Sequence, residues 1–140
     1  EQLLFKVLDL AAQKFPILII DMPPVWQHWC KNIILGTDKF YFVTDMSVAG
    51  LRRARRLVEL VSEKSGKSCE RSVIVNKAAW LGVAGVKKQH ANEILGDYLA
   101  GFIPDSGKLL GIAQNEGVLF SESQPRNSLN KGISGILAAA

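Results

Sequence analysis

Phe15-Pro16-Ile17-Leu18-Ile19-Ile20-Asp21-Met22-Pro23-Pro24 is an unbroken apolar run that ends in one carboxylate and two prolines. Ile17 to Ile20 show no polar alternation, the pattern of a central parallel strand covered on both faces. The prolines cannot extend a ladder, so Asp21 falls where such a strand would leave its sheet. In an open α/β sheet that edge is where ligands bind. An Asp there can equally cap the next helix, and this stretch by itself leaves both roles open.

The flanking segments alternate with further strands. Leu3, Leu4, Val7, Leu8 and Ala11 recur at helical spacing over residues 2–14. A helix is expected from Trp26 to Leu35, with Trp26, Cys30, Ile33 and Ile34 inward and Gly36 ending it. Asp38 to Thr44 is aromatic and β-branched, hence a strand. Asp45-Met46-Ser47 offers capping side chains for a long helix from Val48 to Lys64 that stops at Gly66. A short strand over Ser72–Asn76 breaks off at Asn76-Lys77, and 78–86 reads as an apolar loop. A helix over Lys87–Leu95, a strand over Leu99–Ile103 stopped by Pro104, and a helix ending near Gly117 follow. Residues 121–125 read as a loop, and a last helix starts at Asn127.

The order α-β-α-β-α-β-α-β-α-α specifies an α/β fold with a doubly wound, mainly parallel sheet and helices on both faces. Right-handed crossovers bring all strand exits to one rim. That rim would carry Asp21, Thr44-Asp45, Asn76-Lys77 and Pro104-Asp105, which together form a binding crevice.

Composition narrows the chemistry. The 140 residues suffice for one domain, and 48% hydrophobic with 21% charged residues is ordinary for a globular protein. No apolar run approaches the roughly 20 residues that span a bilayer. The chain starts at Glu1 without a signal-like segment, as an excised piece would. A net charge of +4 permits anionic partners without requiring them. Cys30 and Cys69 form no Cys-x-x-Cys pair and are expected as thiols in a reducing cytoplasm. His28 near Cys30 lacks a second ligand pair, which argues against a metal there. Arg52, Arg53, Arg55 and Arg56 lie on or beside the exposed side of the long helix; a solvated face with an Arg55–Glu59 pair accounts for them. Hydrolase and zinc-protease motifs are missing, as is a Gly-rich phosphate loop. Gly66-Lys67-Ser68 follows a helix rather than a strand, and Gly82-Val83-Ala84-Gly85 lacks the required spacing. A strand-end Asp can hold magnesium-bound water, and an Asn amide can read the edge of adenine.

In order, Ile19-Ile20-Asp21-Met22-Pro23-Pro24, the block from Phe42-Val43-Thr44-Asp45-Met46-Ser47 through Arg56, Val75-Asn76-Lys77, Ile103-Pro104-Asp105-Ser106 and Ala113-Gln114-Asn115-Glu116-Gly117 carry a resemblance. The sequence resembles the ParA/MinD superfamily of deviant-Walker ATPases, within it the CpaE/TadZ pilus-assembly branch. The resemblance implies that residues 1–140 are the C-terminal portion of one ATPase domain whose first strand and phosphate-binding loop precede Glu1. It implies Asp21 as the carboxylate acting on Mg2+ through water, Asn76 contacting adenine, and Pro104 and Asp105 bordering the base. The cofactors implied are ATP and Mg2+ in the longer protein, with none held tightly by this piece, which is expected to be inactive alone. The partners implied are a second copy in a homodimer or other self-association and further pilus-assembly components. A peripheral membrane contact is implied as well, but no nucleic acid. The location implied is cytoplasmic, at the inner membrane or cell pole. A non-catalytic scaffold of the same fold, or a DNA-partitioning relative using the Arg52–Arg56 cluster, are the alternatives.

Overall fold

The computed structural model describes residues 1–23, 25, 27–65, 69–78 and 86–138, with Lys64 and Ser65 described by backbone alone. They divide into two units, Glu1–Thr37 and Asp38–Ala140.

The first unit contains helices α1 (Gln2–Lys14) and α2 (Cys30–Leu35). Cys30, Ile33 and Ile34 on α2 are buried, and Gly36 N–H closes the helix on the carbonyls of Asn32 and Ile33. No α1 residue is buried; Leu4, Leu8 and Ala11 are half-covered, whereas Leu3 and Val7 of the expected inner face are exposed. α2 starts at Cys30, later than expected, because Gln27 to Trp29 form a turn with Cys30 N–H donating to Gln27 O at 3.1 Å.

The expected first strand is not formed. Residues 16–20 take no ladder among the described residues, and Ile17 and Ile19 are 77% and 89% exposed. A strand exists through its neighbour's hydrogen bonds, so apolar composition alone cannot make one.

The second unit is built on a three-stranded parallel sheet in the order β1 (Lys39–Thr44), β2 (Glu70–Ala78), β3 (Leu99–Pro104). Two βαβ crossovers connect the strands, through α3 (Val48–Ser65) and α4 (Lys88–Leu95). A single 3-10 turn, Gly96–Tyr98, leads from α4 into β3. Then follow α5 (Lys108–Glu116), α6 (Phe120–Ser123) in place of the expected loop, and α7 (Ser128–Ala138). Most of the expected apolar loop (79–85), the helix stop at Gly66 and the final Ala139 and Ala140 lie outside the described residues.

Helices cover both faces, as the alternation predicts. Leu51, Ala54 and Val58 of α3, Val73 and Val75 of β2, and Ala91 and Leu95 of α4 form one buried cluster, against which Phe42 and Phe102 pack. Ile103, next to Phe102 and therefore on the opposite face, packs with Ala113, Phe120 and Leu129. The approach of α7 to β3 is close. A Cβ on Gly132 would lie 2.9 Å from Phe102 O and from Pro104 Cδ, and one on Gly101 would lie 2.8 Å from Ile136 Cγ1.

Arg55 forms the expected pair with Glu59 and stays partly exposed, but it also reaches across to the end of α4. Its Nη1 donates to Leu95 O at 3.1 Å, its Nε to Glu59, and its guanidinium lies 4.9 Å from the Tyr98 ring centre. It thereby closes the C-terminal carbonyls of α4 and ties α3 to α4. Arg55→Ala is expected to lower stability, and Arg55→Lys to recover only part of the loss, because an ammonium lacks the planar fork. Urea denaturation of both variants checks this.

Candidate functional site

The strand exits of the second unit form the expected rim. Parallel register aligns Thr44 with Val75, Val75 with Phe102 and Ala78 with Pro104, so the three exits lie side by side.

At the β1 exit, Thr44-Asp45-Met46-Ser47 turns the chain into α3. Ser47 Oγ donates to Asp45 Oδ1 at 2.6 Å, Ser47 N–H to the same oxygen at 3.1 Å, and Gly50 N–H to Ser47 Oγ at 2.9 Å. The capping expected of these residues is therefore present. Gly50 lies so close that an added Cβ would stand 2.3 Å from Asp45 Oδ1 and 2.8 Å from Thr44 Oγ1. Hydrogen bonds from Ser47, with Arg53 adding a smaller share, hold the Asp45 carboxyl below its ordinary range. A depressed folded value means Asp45 contributes stability above about pH 4, lost as pH falls through the folded value. The thermal midpoint of Asp45→Asn should therefore lie below that of the parent at pH 7 and converge with it on acidification below about pH 4. Parallel melts over that range test the sign; because Asp45 is exposed, the difference will be small.

At the β2 exit the chain does not break off at Asn76-Lys77. Between the pairs Val75↔Phe102 and Ala78↔Pro104, β2 has two residues where β3 has one, which is a bulge. Lys77 sits at φ 52, the left-handed region that a side chain disfavours, and Lys77 N–H donates to Asn76 Oδ1 at 2.8 Å. The side-chain amide NH2 of Asn76 therefore remains as the donor it can offer a ligand.

At the β3 exit, Pro104 ends the ladder and Asp105 Oδ1 accepts Gly107 N–H at 2.9 Å, a turn that launches α5. Asn76 and Pro104 lie at the same end of adjacent strands, with Asp105 next in the chain. Asp21 belongs to the other unit, exposed at the end of the extended segment. Among the described residues no three His, Cys, Asp or Glu side chains converge as a metal site. The described residues also contain no loop of consecutive amides with a lysine that could cradle phosphates.

Sequence reasoning did not find the bulge, the left-handed Lys77 or the tight seat of Gly50. Only the last left a trace, as a glycine in the first turn of an otherwise strong helix. Arg52, Arg53 and Arg56 are exposed, as expected of them. Cys30 and Cys69 are both buried. No described helix is long and apolar enough to cross a membrane.

The fold has solved counterparts. A ParA family ATPase from Chlorobium tepidum TLS superposes with a TM-score of 0.65 at 21% identity, over 81% of this chain and 46% of that one. A chain of the MinC:MinD cell division protein complex from Aquifex aeolicus gives 0.67 at 22% identity, over 81% and 46%. The MinD cell division protein from the same organism gives 0.60 at 20% identity, over 76% and 44%. The chain spans less than half the length of the structures it matches. No family model and no curated protein matches the sequence. The described residues thus share the fold of the matched part of these ParA and MinD structures.

Proposed function

We propose that these residues are the C-terminal portion of a ParA/MinD-like ATPase domain of the CpaE/TadZ type, acting in the localisation and assembly of Flp/Tad-type pili. The observation that supports this reading is the rim: Asn76 and Pro104-Asp105 lie at the same end of adjacent parallel strands, in a fold similar to that of a ParA family ATPase. In this reading Asn76 donates its amide to a base acceptor, Pro104 and Asp105 border the ring, and Asp21 acts on Mg2+ through water. Mg2+ would supply charge neutralisation at the phosphates. The phosphate-binding elements lie outside these residues, in sequence upstream of them. The protein works as a homodimer or other self-association with pilus-assembly components as partners. Its place is cytoplasmic, at the inner membrane or pole.

A scaffold of the same fold is the second reading. What favours it is that Asp45, Asn76 and Asp105 each have a side-chain oxygen engaged by a nearby backbone amide.

Calorimetry separates chemistry from fold. Titrating magnesium-ATP into the 140-residue chain should give no heat of micromolar binding, because a carboxylate and a base-side amide cannot offset three phosphate charges. Micromolar binding by this chain alone would overturn the reading.

A further inference from the structure

Among the described residues Lys77 is the one non-glycine at positive φ. That region is otherwise taken by glycines such as Gly96, Gly107 and Gly117, at φ 53, 55 and 67, which enter it without a Cβ penalty. Lysine does so at φ 52 inside a strand. The bulge accounts for the place: between Val75↔Phe102 and Ala78↔Pro104, β2 fits Asn76 and Lys77 against Ile103 alone, and the left-handed residue takes up the extra length.

The hydrogen bond from Lys77 N–H to Asn76 Oδ1, at 2.8 Å, decides which way the Asn76 amide faces. A backbone N–H can only donate, so the atom in front of it must be the side-chain carbonyl oxygen, and the NH2 group is turned away from it. Asn76 is half-buried at the strand exit, whereas Lys77 is exposed. An asparagine with both ends available reads adenine bidentately, its oxygen taking a proton of the 6-amino group and its NH2 reaching a ring nitrogen. With the oxygen held, the donor end is what remains. The ring nitrogens of a purine accept that donor whether or not an amino group is attached to the ring.

We propose that Lys77 is a positioning residue for the base side of the rim. Its left-handed backbone holds Asn76 Oδ1, so that Asn76 meets a purine through NH2 alone, at a ring-nitrogen acceptor, and does not read the 6-amino group. This inference rests on the base-side role of Asn76 in the proposed function. It adds what fixes that side chain and which atoms of the base it recognises.

The clamp is tested without nucleotide, by NMR hydrogen exchange on the 140-residue chain. The Lys77 amide should exchange about tenfold faster or more in Asn76→Ala, and stay protected in Asn76→Asp, whose carboxylate still accepts. A Lys77 amide indifferent to Asn76→Ala overturns the clamp. Recognition is tested by calorimetry on the longer protein carrying its upstream residues, with magnesium salts of ATP and of purine riboside triphosphate, which lacks the 6-amino group. Asn76→Ala should weaken both nucleotides alike, leaving the ratio of their dissociation constants unchanged. Lys77→Gly, which adopts the same φ freely, should keep that ratio. Lys77→Val, whose β-branch disfavours it, should free the amide and shift the ratio about fivefold towards ATP. A ratio that moves against ATP in Asn76→Ala means that Asn76 already accepts from the amino group, and overturns this inference while leaving the base-side role standing. A ratio unmoved by Lys77→Val, or moved equally by Lys77→Gly, overturns the part played by the Lys77 backbone. Binding of neither nucleotide, or of both with indifference to Asn76→Ala, overturns the base-side role and this inference with it.

Discussion

Leu51→Ala is expected to destabilise the Asp38–Ala140 unit by about 2–5 kcal/mol. Leu51 is fully buried, in the second turn of α3, within the cluster that joins α3, β2 and α4. Truncation removes apolar burial and leaves a cavity that rigid neighbours on a sheet can only partly fill. Small domains have about 5–15 kcal/mol of stability in all, so the loss would be visible as a large fall in the urea midpoint. Leu60→Ala on the same helix is the control. Its side chain is 41% exposed, and the change should cost less than about 1 kcal/mol. Equal losses at the two positions would mean that α3 packs through a different face.

Gly132→Val should loosen α7 from the sheet. The added Cβ would meet a backbone carbonyl, Phe102 O, and the ring of Pro104 at 2.9 Å each, and neither can rotate away. Helix propensity alone would make the change favourable by a few tenths of a kcal/mol, since glycine is the poorer helix former. The clash outweighs that gain, with a net destabilisation of about 1–3 kcal/mol. Gly135→Ala, on the same helix with nothing within 4 Å of the added atom, should instead be neutral or stabilising by up to about 1 kcal/mol. Opposite signs at two glycines three residues apart would be hard to explain except by the seat of α7 on β3. The same displacement would move Pro104, and with it the base-side border of the rim.

What could be read in advance was local. The aromatic and β-branched run before Thr44, the caps at Asp45 and Ser47, and the apolar face of α3 each follow from a few adjacent residues. The alternation of strands and helices was enough to give a parallel sheet covered on two faces. What could not be read depends on partners distant in sequence. Ile17–Ile20 has the composition of a buried strand, but a ladder needs a neighbour, and the three-stranded sheet ends at β1 without it. Arg55 was read with its exposed neighbours because nothing near it in sequence says that the end of α4 lies beside it. Gly132 and Gly50 look like weak points in helices until the carbonyl and carboxylate against them are seen. At the rim, Asn76 and Pro104-Asp105 were legible as strand exits. The bulge that keeps β2 going past Asn76, and sets Lys77 left-handed, was not, because one extra residue between ladder pairs leaves no mark in hydrophobic pattern.

The proposed nucleotide role divides the work between this chain and residues upstream of it, and that division can be measured. Magnesium-ATP should be titrated into the longer protein carrying its upstream residues, into the same protein with Asp21→Ala, and into the 140-residue chain. The account predicts micromolar binding by the longer protein, weakened when Asp21 is changed, and none by the 140-residue chain. Binding by the short chain as tight as by the longer one, or a longer protein indifferent to the loss of Asp21, would contradict it.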